Sequence, residues 1–230
     1  MKNIVILTGN ELRHQYFRKK LSNDKNINVI TSYCESESNS LENRINKDEL
    51  SSNLMKKHVK TRTQVENDFF GDYVNEITDL SNPTIIPKGD INSDQIVEEI
   101  INLNPDLLIC YGSSLIKSNL LEIFNKKFLN VHLGLSPYYV GSGTNTWPLI
   151  NFEPEYVGAT FMYIDAGIDT GDIIHQIRAK VFYSDSCHLI GNRLIKDMTN
   201  EFIKIINQFD ELKEMPQISS QKVLSYKNKD

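Results

Sequence analysis

Three short aliphatic runs are the feature that most constrains the fold. They read NIVILT at 3–8, DLLICYG at 106–112 and FLNVHL at 128–133. Mostly apolar runs of this length are typical of strands that are buried on both faces. Such strands belong to parallel sheets whose two faces are covered by helices.

One helical segment precedes the second run, and another lies between the second and the third. From Asp94 onward the apolar positions of DQIVEEIINLN fall on one helix face, and a short helix is predicted at 118–125. The order strand, helix, strand, helix, strand is typical of a doubly wound α/β fold. Because crossovers between parallel strands are right-handed, we expect a mostly parallel, Rossmann-like sheet.

Further elements extend this pattern. We expect helices at 12–22, 64–80 and 186–208, and strands at 27–33, 83–89, 156–165 and 172–181, with the last two at the sheet edge. The segment 35–62 is polar and has weak helical signal, so its role stays open. We divide the chain into a main domain at 1–209 and a C-terminal extension at 210–230 with a short β appendage.

Composition excludes several classes of function. A chain of 230 residues with 40% hydrophobic content is enough for one domain with a core. A net charge of −5 argues against a surface that grips nucleic-acid phosphates. Three scattered cysteines fit no disulfide framework or zinc pattern, and we find no signal peptide or membrane span. We therefore expect a cytoplasmic protein with no nucleic-acid or membrane partner.

Two polar side chains interrupt the third run. Asn130 and His132 are two positions apart, so on a strand they project from the same face. They come at the carboxyl end of the strand, where open α/β sheets bind ligands. They either cap a loop inside the core or form part of a site, and the Gly/Ser-rich loop GLSPYYVGSGTNTW that follows favours a site.

An acidic loop, DAGIDTGDII at 165–174, is the second polar feature. Its three aspartates do not fit a calcium hand, because no Glu closes the loop. Either they belong to an acidic turn between strands, or one of them places its carboxylate beside His132 and orients the imidazole.

Asn130-x-His132, the loop containing Gly141, and Ile168-Asp169-Thr170-Gly171 together resemble the signature of the folate-dependent formyltransferases. The family pattern is N-x-H-x-S-L-L-P, whereas this chain has Gly134 in place of the first Ser. The resemblance implies that 1–209 is the catalytic domain and that Asn130, His132 and Asp169 are the catalytic residues. It also implies 10-formyltetrahydrofolate as formyl donor and no metal.

The resemblance implies a mechanism and a folate site. Asn130 and His132 would donate hydrogen bonds to the oxyanion that forms when a primary amine attacks the formyl carbon, and Asp169 would orient His132. The folate would lie against Ser114, Leu115, Ile116 and Asp165.

The acceptor amine is less constrained. Methionyl-tRNA formyltransferases have a further C-terminal domain and need a basic surface, whereas this chain has a net charge of −5. Formyltetrahydrofolate hydrolases have an N-terminal regulatory domain, whereas the predicted catalytic sheet here starts at residue 3. Glycinamide ribonucleotide formyltransferases have a glycine-rich phosphate loop after the first strand. Here that loop is Gly9-Asn10-Glu11-Leu12-Arg13, with one Gly and a carboxylate. That purine-pathway enzyme and a non-catalytic folate- or nucleotide-binding module stay as alternatives.

We expect a nucleotide-linked amino sugar as the acceptor, feeding polysaccharide synthesis. His58, Arg62 and Glu66 are four residues apart and form one stripe if the segment is helical, which would place cations near a diphosphate. The expected acceptor contacts are Asn10, Arg13, His58, Arg62, Tyr138 and Trp147. The tail 217–227 resembles the C-terminal β element that pairs subunits in sugar N-formyltransferases, so we expect a homodimer.

Overall fold

The computed structural model describes residues 1–36, 45, 52–218 and 223–227 of the chain. The strands are β1 (Lys2–Gly9), β2 (Ile27–Glu35), β3 (Pro83–Ile86), β4 (Leu107–Tyr111), β5 (Phe128–His132), β6 (Tyr139–Gly141), β7 (Gly158–Tyr163), β8 (Ile173–Arg178) and β9 (Leu224–Tyr226). The helices are α1 (Leu12–Ser22), α2 (Asn53–Glu76), α3 (Asp94–Leu103), α4 (Ser118–Ile123), α5 (Trp147–Ile150) and α6 (Cys187–Asn207).

The main sheet of the described chain has the order β3-β2-β1-β4-β5-β7-β8. Strands β3, β2, β1, β4 and β5 are parallel to one another, whereas β7 pairs antiparallel with both β5 and β8. The prediction of a doubly wound, mostly parallel sheet is confirmed. Strand order reverses between β1 and β4, which is the point where ligands bind to sheets of this kind.

Burial on both faces explains why β1 is an uninterrupted apolar run. Ile4 and Ile6 face one cluster, which also contains Phe17 of α1 and Phe202 of α6. Val5 and Leu7 face the other cluster, which contains residues of α3 and α4. Successive side chains on a strand point to opposite faces, so covering both faces requires apolar residues at every position.

Helix α2 differs from its prediction, since it spans Asn53–Glu76 rather than 64–80. Its first turn is capped by the hydroxyl of Ser52, which accepts from the Met55 amide at 3.1 Å. Its end comes early because Ile77 is extended, and the ammonium of Lys19 binds the carbonyl of Ile77 at 2.7 Å. The rest of the polar 35–62 segment, at 37–44 and 46–51, lies outside the described residues.

Among the described helices, none is both long and apolar enough to cross a lipid bilayer.

The predicted C-terminal strand is present as β9, and it pairs in parallel with β6 of the same chain. The contact is close, because a Cβ at Gly141 would lie 2.2 Å from the Tyr226 carbonyl oxygen. Gly141 also has φ +91, a conformation that favours glycine. The expected role of this element in subunit pairing stays a prediction. Residues 219–222 and 228–230 of the extension lie outside the described chain.

We expect Phe202→Ala to lower the free energy of unfolding by about 3–5 kcal/mol, because it leaves a cavity in the core. Phe202 is fully buried and contacts the rings of Phe17 and Phe161. Urea denaturation would measure the loss. Phe152, which is 93% exposed, gives the matched control, since Phe152→Ala should change stability by less than about 0.5 kcal/mol. Equal losses in the two variants would contradict this description of the core.

Candidate active site

The candidate site lies where the parallel strands end. Gly9, Glu35, Tyr111 and His132 are the last residues of β1, β2, β4 and β5, so their loops meet at one edge of the sheet. Backbone amides and polar side chains gather at this edge because each loop leaves a strand in the same direction.

The structure brings His132 and Asp169 together. Nδ1 of His132 lies 3.2 Å from Oδ2 of Asp169, and both side chains are largely buried. The same carboxylate oxygen accepts from the backbone amide of Gly141 at 2.9 Å. Asp169 therefore ties the end of β5 to the loop that follows it.

The other ring nitrogen of His132 is also engaged. Nε2 lies 3.0 Å from the Tyr139 carbonyl oxygen and 3.3 Å from the Thr144 hydroxyl. The Thr144 hydroxyl donates to the Leu133 carbonyl at 2.5 Å, so it faces the ring as an acceptor. A ring that is protonated on both nitrogens can donate to Asp169 and Tyr139 together, whereas a neutral ring can donate to only one of them.

Gly134 permits this close packing around His132. A Cβ at Gly134 would lie 2.3 Å from Nε2 of His132 and 2.8 Å from the Tyr139 carbonyl oxygen. The Ser of the family pattern would therefore clash here unless the loop moved. The departure from that pattern has a local physical reason, which is that the loop closes directly onto the imidazole.

Asn130 is the catalytic candidate with an unengaged side chain. It is half-buried, and its register partner in β4 is Cys110. Within the described part of the chain, its amide group makes no hydrogen bond with another residue. Asn130 can therefore donate to a ligand without losing a bond inside the protein, which His132 cannot do in this arrangement.

The expected folate residues have different environments. The Ser114 amide donates to Glu35, and Leu115 is 56% exposed at the surface. Ile116 is buried in the core cluster with Leu120, so its side chain serves packing. Asp165 accepts from the Gly167 amide at 3.0 Å and the Thr170 hydroxyl at 2.8 Å, which stabilises the turn of its own loop.

Beside this loop is a depression of about 430 Å³, lined by Leu121, Glu122, Asn125 and Ala166. None of the expected folate residues lines it. Ala166 directly follows Asp165, so the depression borders the acidic loop, and its other lining residues belong to α4 or follow it.

Glu35 is a site residue that the sequence interpretation missed. It is 2% exposed, and its two carboxylate oxygens accept from the amides of Gly89 and Ser114, each at 2.7 Å. Those amides belong to the loops after β3 and β4. Glu35 therefore holds two loops of the strand-end region in a fixed relation, and a Glu ending an apolar strand is the signal that would have indicated it.

The expected acceptor residues near β1 form a network of ion pairs. Arg13 binds Glu66 at 2.6 Å and also contacts Glu11, while Arg62 lies 3.3 Å from Glu11 and 3.7 Å from Glu66. Burial and Arg13 lower the pKa of Arg62, and Glu66 acts in the opposite direction. We call Glu11, Arg13, Arg62 and Glu66 the charge quartet. Its formal charge sums to zero.

Asn10 stands beside the charge quartet. Its side-chain oxygen accepts from Arg18 at 3.0 Å.

The other expected acceptor residues pack against parts of this chain. Trp147 stacks on Tyr226 of β9 at 4.4 Å with an interplanar angle of 9°, and the Tyr138 ring contacts Tyr156. His58 of α2 lies against His188 of α6, with ring centroids 4.8 Å apart. Their expected part in acceptor binding stays a prediction.

Known proteins resemble this chain in sequence and in fold. A model of the family described as formyl transferase matches residues 1–206. A curated relative, methionyl-tRNA formyltransferase from Desulforamulus reducens, is 33% identical over 131 residues. That match covers 56% of this chain and 40% of the relative. The chain thus spans less than half the length of this curated relative.

Two solved structures show the same fold. The formyltransferase PseJ from Anoxybacillus kamchatkensis, in complex with UDP-4,6-dideoxy-4-formamido-L-AltNAc and tetrahydrofolate, has a TM-score of 0.56 at 18% identity. That alignment covers 99% of this chain and 86% of PseJ. Phosphoribosylglycinamide formyltransferase from Anaplasma phagocytophilum has a TM-score of 0.64 at 14% identity. That alignment covers 99% of this chain and 98% of the Anaplasma protein.

We expect Glu35→Gln to lower the free energy of local opening of the two strand-end loops by about 1–3 kcal/mol, because the amide nitrogen that replaces one oxygen cannot accept a hydrogen bond. Hydrogen exchange at the Gly89 and Ser114 amides would measure the change, and at least one of them should exchange faster. Glu98→Gln, on the exposed face of α3, is the matched control. Unchanged protection at both amides would remove Glu35 from this role.

Proposed function

The chain belongs to the formyl transferase family, and from this premise we propose that it transfers the formyl group of 10-formyltetrahydrofolate to a primary amine. The observation that carries the proposal is the strand-end site. There, His132 and Asp169 lie 3.2 Å apart, and the side-chain amide of Asn130, two residues before His132, makes no hydrogen bond with any residue that the structure describes. These residue types, at this place in the fold, suit a reaction in which negative charge develops on a carbonyl oxygen.

The proposed first step is attack of the neutral amine on the formyl carbon. A carbon–nitrogen bond forms, and the electron pair of the carbonyl bond moves to the formyl oxygen. Asn130 donates a hydrogen bond to that oxyanion. Its side chain is held by a strand rather than by a loop, so little reorganisation is needed when the charge develops. The bond to N10 of the folate then breaks, and N10 takes up a proton.

His132 and Asp169 have supporting roles in this proposal. His132 is held between Asp169 and the Tyr139 carbonyl, so its ring is fixed on the strand face that also carries Asn130. Oδ2 of Asp169 is engaged by His132 and Gly141, whereas Oδ1 makes no hydrogen bond within the described residues. Oδ1 is therefore the acceptor to which the amine proton passes, through a water molecule.

We expect Asn130→Ala to lower kcat by about 10²–10³-fold, the loss typical when one donor to an oxyanion is removed. His132→Ala should also lower kcat, because it removes the ring that contacts both Asp169 and the Tyr139 carbonyl. Asp169→Asn should lower kcat by a similar factor, since it weakens the hold on His132. Formyl transfer followed by mass spectrometry gives the rates. His175→Ala is the control, because His175 is an exposed histidine on β8. Wild-type rates in all three site variants would show that the chemistry lies elsewhere.

We propose a nucleotide-linked amino sugar as the acceptor. The net charge of −5 disfavours a large polyanion, and PseJ is a fold relative whose complex holds a UDP-linked formamido sugar. Lys88 follows β3 at the strand-end edge, and it forms no ion pair with any described carboxylate. Its charge is thus available to a diphosphate, while Arg13 and Arg62 would have to exchange Glu11 and Glu66 for it.

A second candidate acceptor is the amino group of an aminoacyl-tRNA. The observation that favours it is the 33% identity to a methionyl-tRNA formyltransferase over 131 residues. A third candidate acceptor is the amine of a ribonucleotide. It is favoured by the fold likeness to a phosphoribosylglycinamide formyltransferase whose length is similar to that of this chain. The charge quartet does not separate these acceptors, because each carries phosphate for which Arg13 and Arg62 would have to exchange Glu11 and Glu66.

We expect one added formyl group on a nucleotide-linked amino sugar when the protein is incubated with 10-formyltetrahydrofolate and a panel of amines. The panel includes methionyl-tRNA and glycinamide ribonucleotide, and mass spectrometry identifies the product. Lys88→Ala should raise the KM for the sugar nucleotide about tenfold, the loss of one charge-assisted contact. Lys196→Ala, an exposed lysine on α6, is the control. Formylation of methionyl-tRNA alone would overturn the sugar assignment.

A further inference from the structure

A cluster of three metal-ligating side chains lies outside the catalytic residues. His58 comes from α2, and Cys187 and His188 are the first two residues of α6. One ligand atom from each side chain lies within 4.8 Å of the others. All three residues are half-buried, so a small ion could reach them while part of its surroundings excludes water.

The donor types in this cluster are those that zinc prefers. Two imidazole nitrogens and one thiolate sulfur suit zinc and related divalent ions, whereas calcium and magnesium take oxygen ligands. Tetrahedral zinc with Zn–N of about 2.0–2.1 Å and Zn–S of about 2.3 Å places its ligands roughly 3.3–3.6 Å apart. Ligand atoms that lie as much as 4.8 Å apart therefore need to approach one another by roughly 1.2–1.5 Å, which side-chain rotation can supply.

The surroundings of the cluster tolerate a cation. Arg62 lies one helical turn from His58, but its charge is paired with Glu11 and Glu66. Cys187 is in the first turn of a 21-residue helix, where burial raises the pKa of its thiol and the backbone amides of Cys187 and His188 act in the opposite direction. The hydroxyl of Ser186 caps the Leu189 amide, so the helix start is already formed without an ion.

We propose that His58, Cys187 and His188 bind one divalent ion of the zinc class, with the fourth coordination position open to water or to a ligand. The ion joins the first half of α2 to the start of α6. It displaces the proton of the Cys187 thiol when it binds. The site is separate from Asn130, His132 and Asp169, and formyl transfer does not depend on it for a chemical step.

The cluster shares helix α2 with two members of the charge quartet. Arg62 and Glu66 follow His58 on the same stripe of α2, and they belong to the charge quartet. An ion that fixes α2 against α6 therefore also fixes the helix that carries two members of that quartet.

Cobalt substitution tests the proposal directly. Metal-free protein is titrated with Co²⁺, and we expect one equivalent to bind, with the d–d absorption of a tetrahedral site and a thiolate-to-cobalt charge-transfer band. Zn²⁺ should then displace the cobalt and abolish both signals. Zn²⁺ should also raise the Tm of the metal-free protein in a concentration-dependent manner, since it binds the folded state.

Variants assign the ligands. Cys187→Ser should abolish the charge-transfer band, and His58→Ala should weaken Co²⁺ binding at least about tenfold, with folding checked by circular dichroism. His175→Ala and Cys34→Ala are matched controls, because neither residue belongs to the cluster, and both should keep the wild-type spectrum. Absence of the charge-transfer band in the wild type, or its persistence in folded Cys187→Ser, would overturn the proposal. These readouts do not depend on formyl transfer.

Discussion

The carboxylate of Asp169 is the constraint on which the site depends. One of its oxygens faces the imidazole of His132 at 3.2 Å and accepts from the Gly141 amide at 2.9 Å. Two loops that are distant in sequence are thereby fixed to the end of β5. Asp169 itself has a positive φ of 56, and its carbonyl oxygen accepts from Gln217 at 2.9 Å. The C-terminal extension thus helps to hold Asp169 in place.

Closure of the loop around His132 has a chemical consequence. Both ring nitrogens of His132 are engaged, so in the proposed reaction His132 has a supporting role and Asn130 is the side chain that donates directly to the formyl oxygen. The arginines that are expected to bind the acceptor are paired within the protein. They are already neutralised by Glu11 and Glu66, so an anionic acceptor competes with carboxylates of the protein itself.

Local patterns predicted most of the fold and part of the site. The central strands were predictable because burial on both faces requires apolar residues at every position, as in β1 and β4. The start of α2 was not, because its first turns are polar and depend on the Ser52 cap. Glu35 was missed because a carboxylate that binds backbone amides looks like any polar residue after a strand. The stacking of Tyr226 on Trp147 joins residues far apart in sequence, and no local pattern indicates it.

A crystal structure with a non-transferring analogue of 10-formyltetrahydrofolate tests the central claim most directly. The account predicts that the formyl oxygen lies about 2.7–3.2 Å from the side-chain nitrogen of Asn130, with the His132–Asp169 contact intact. A formyl group bound away from Asn130, or a ligand complex in which His132 and Asp169 separate, would contradict it.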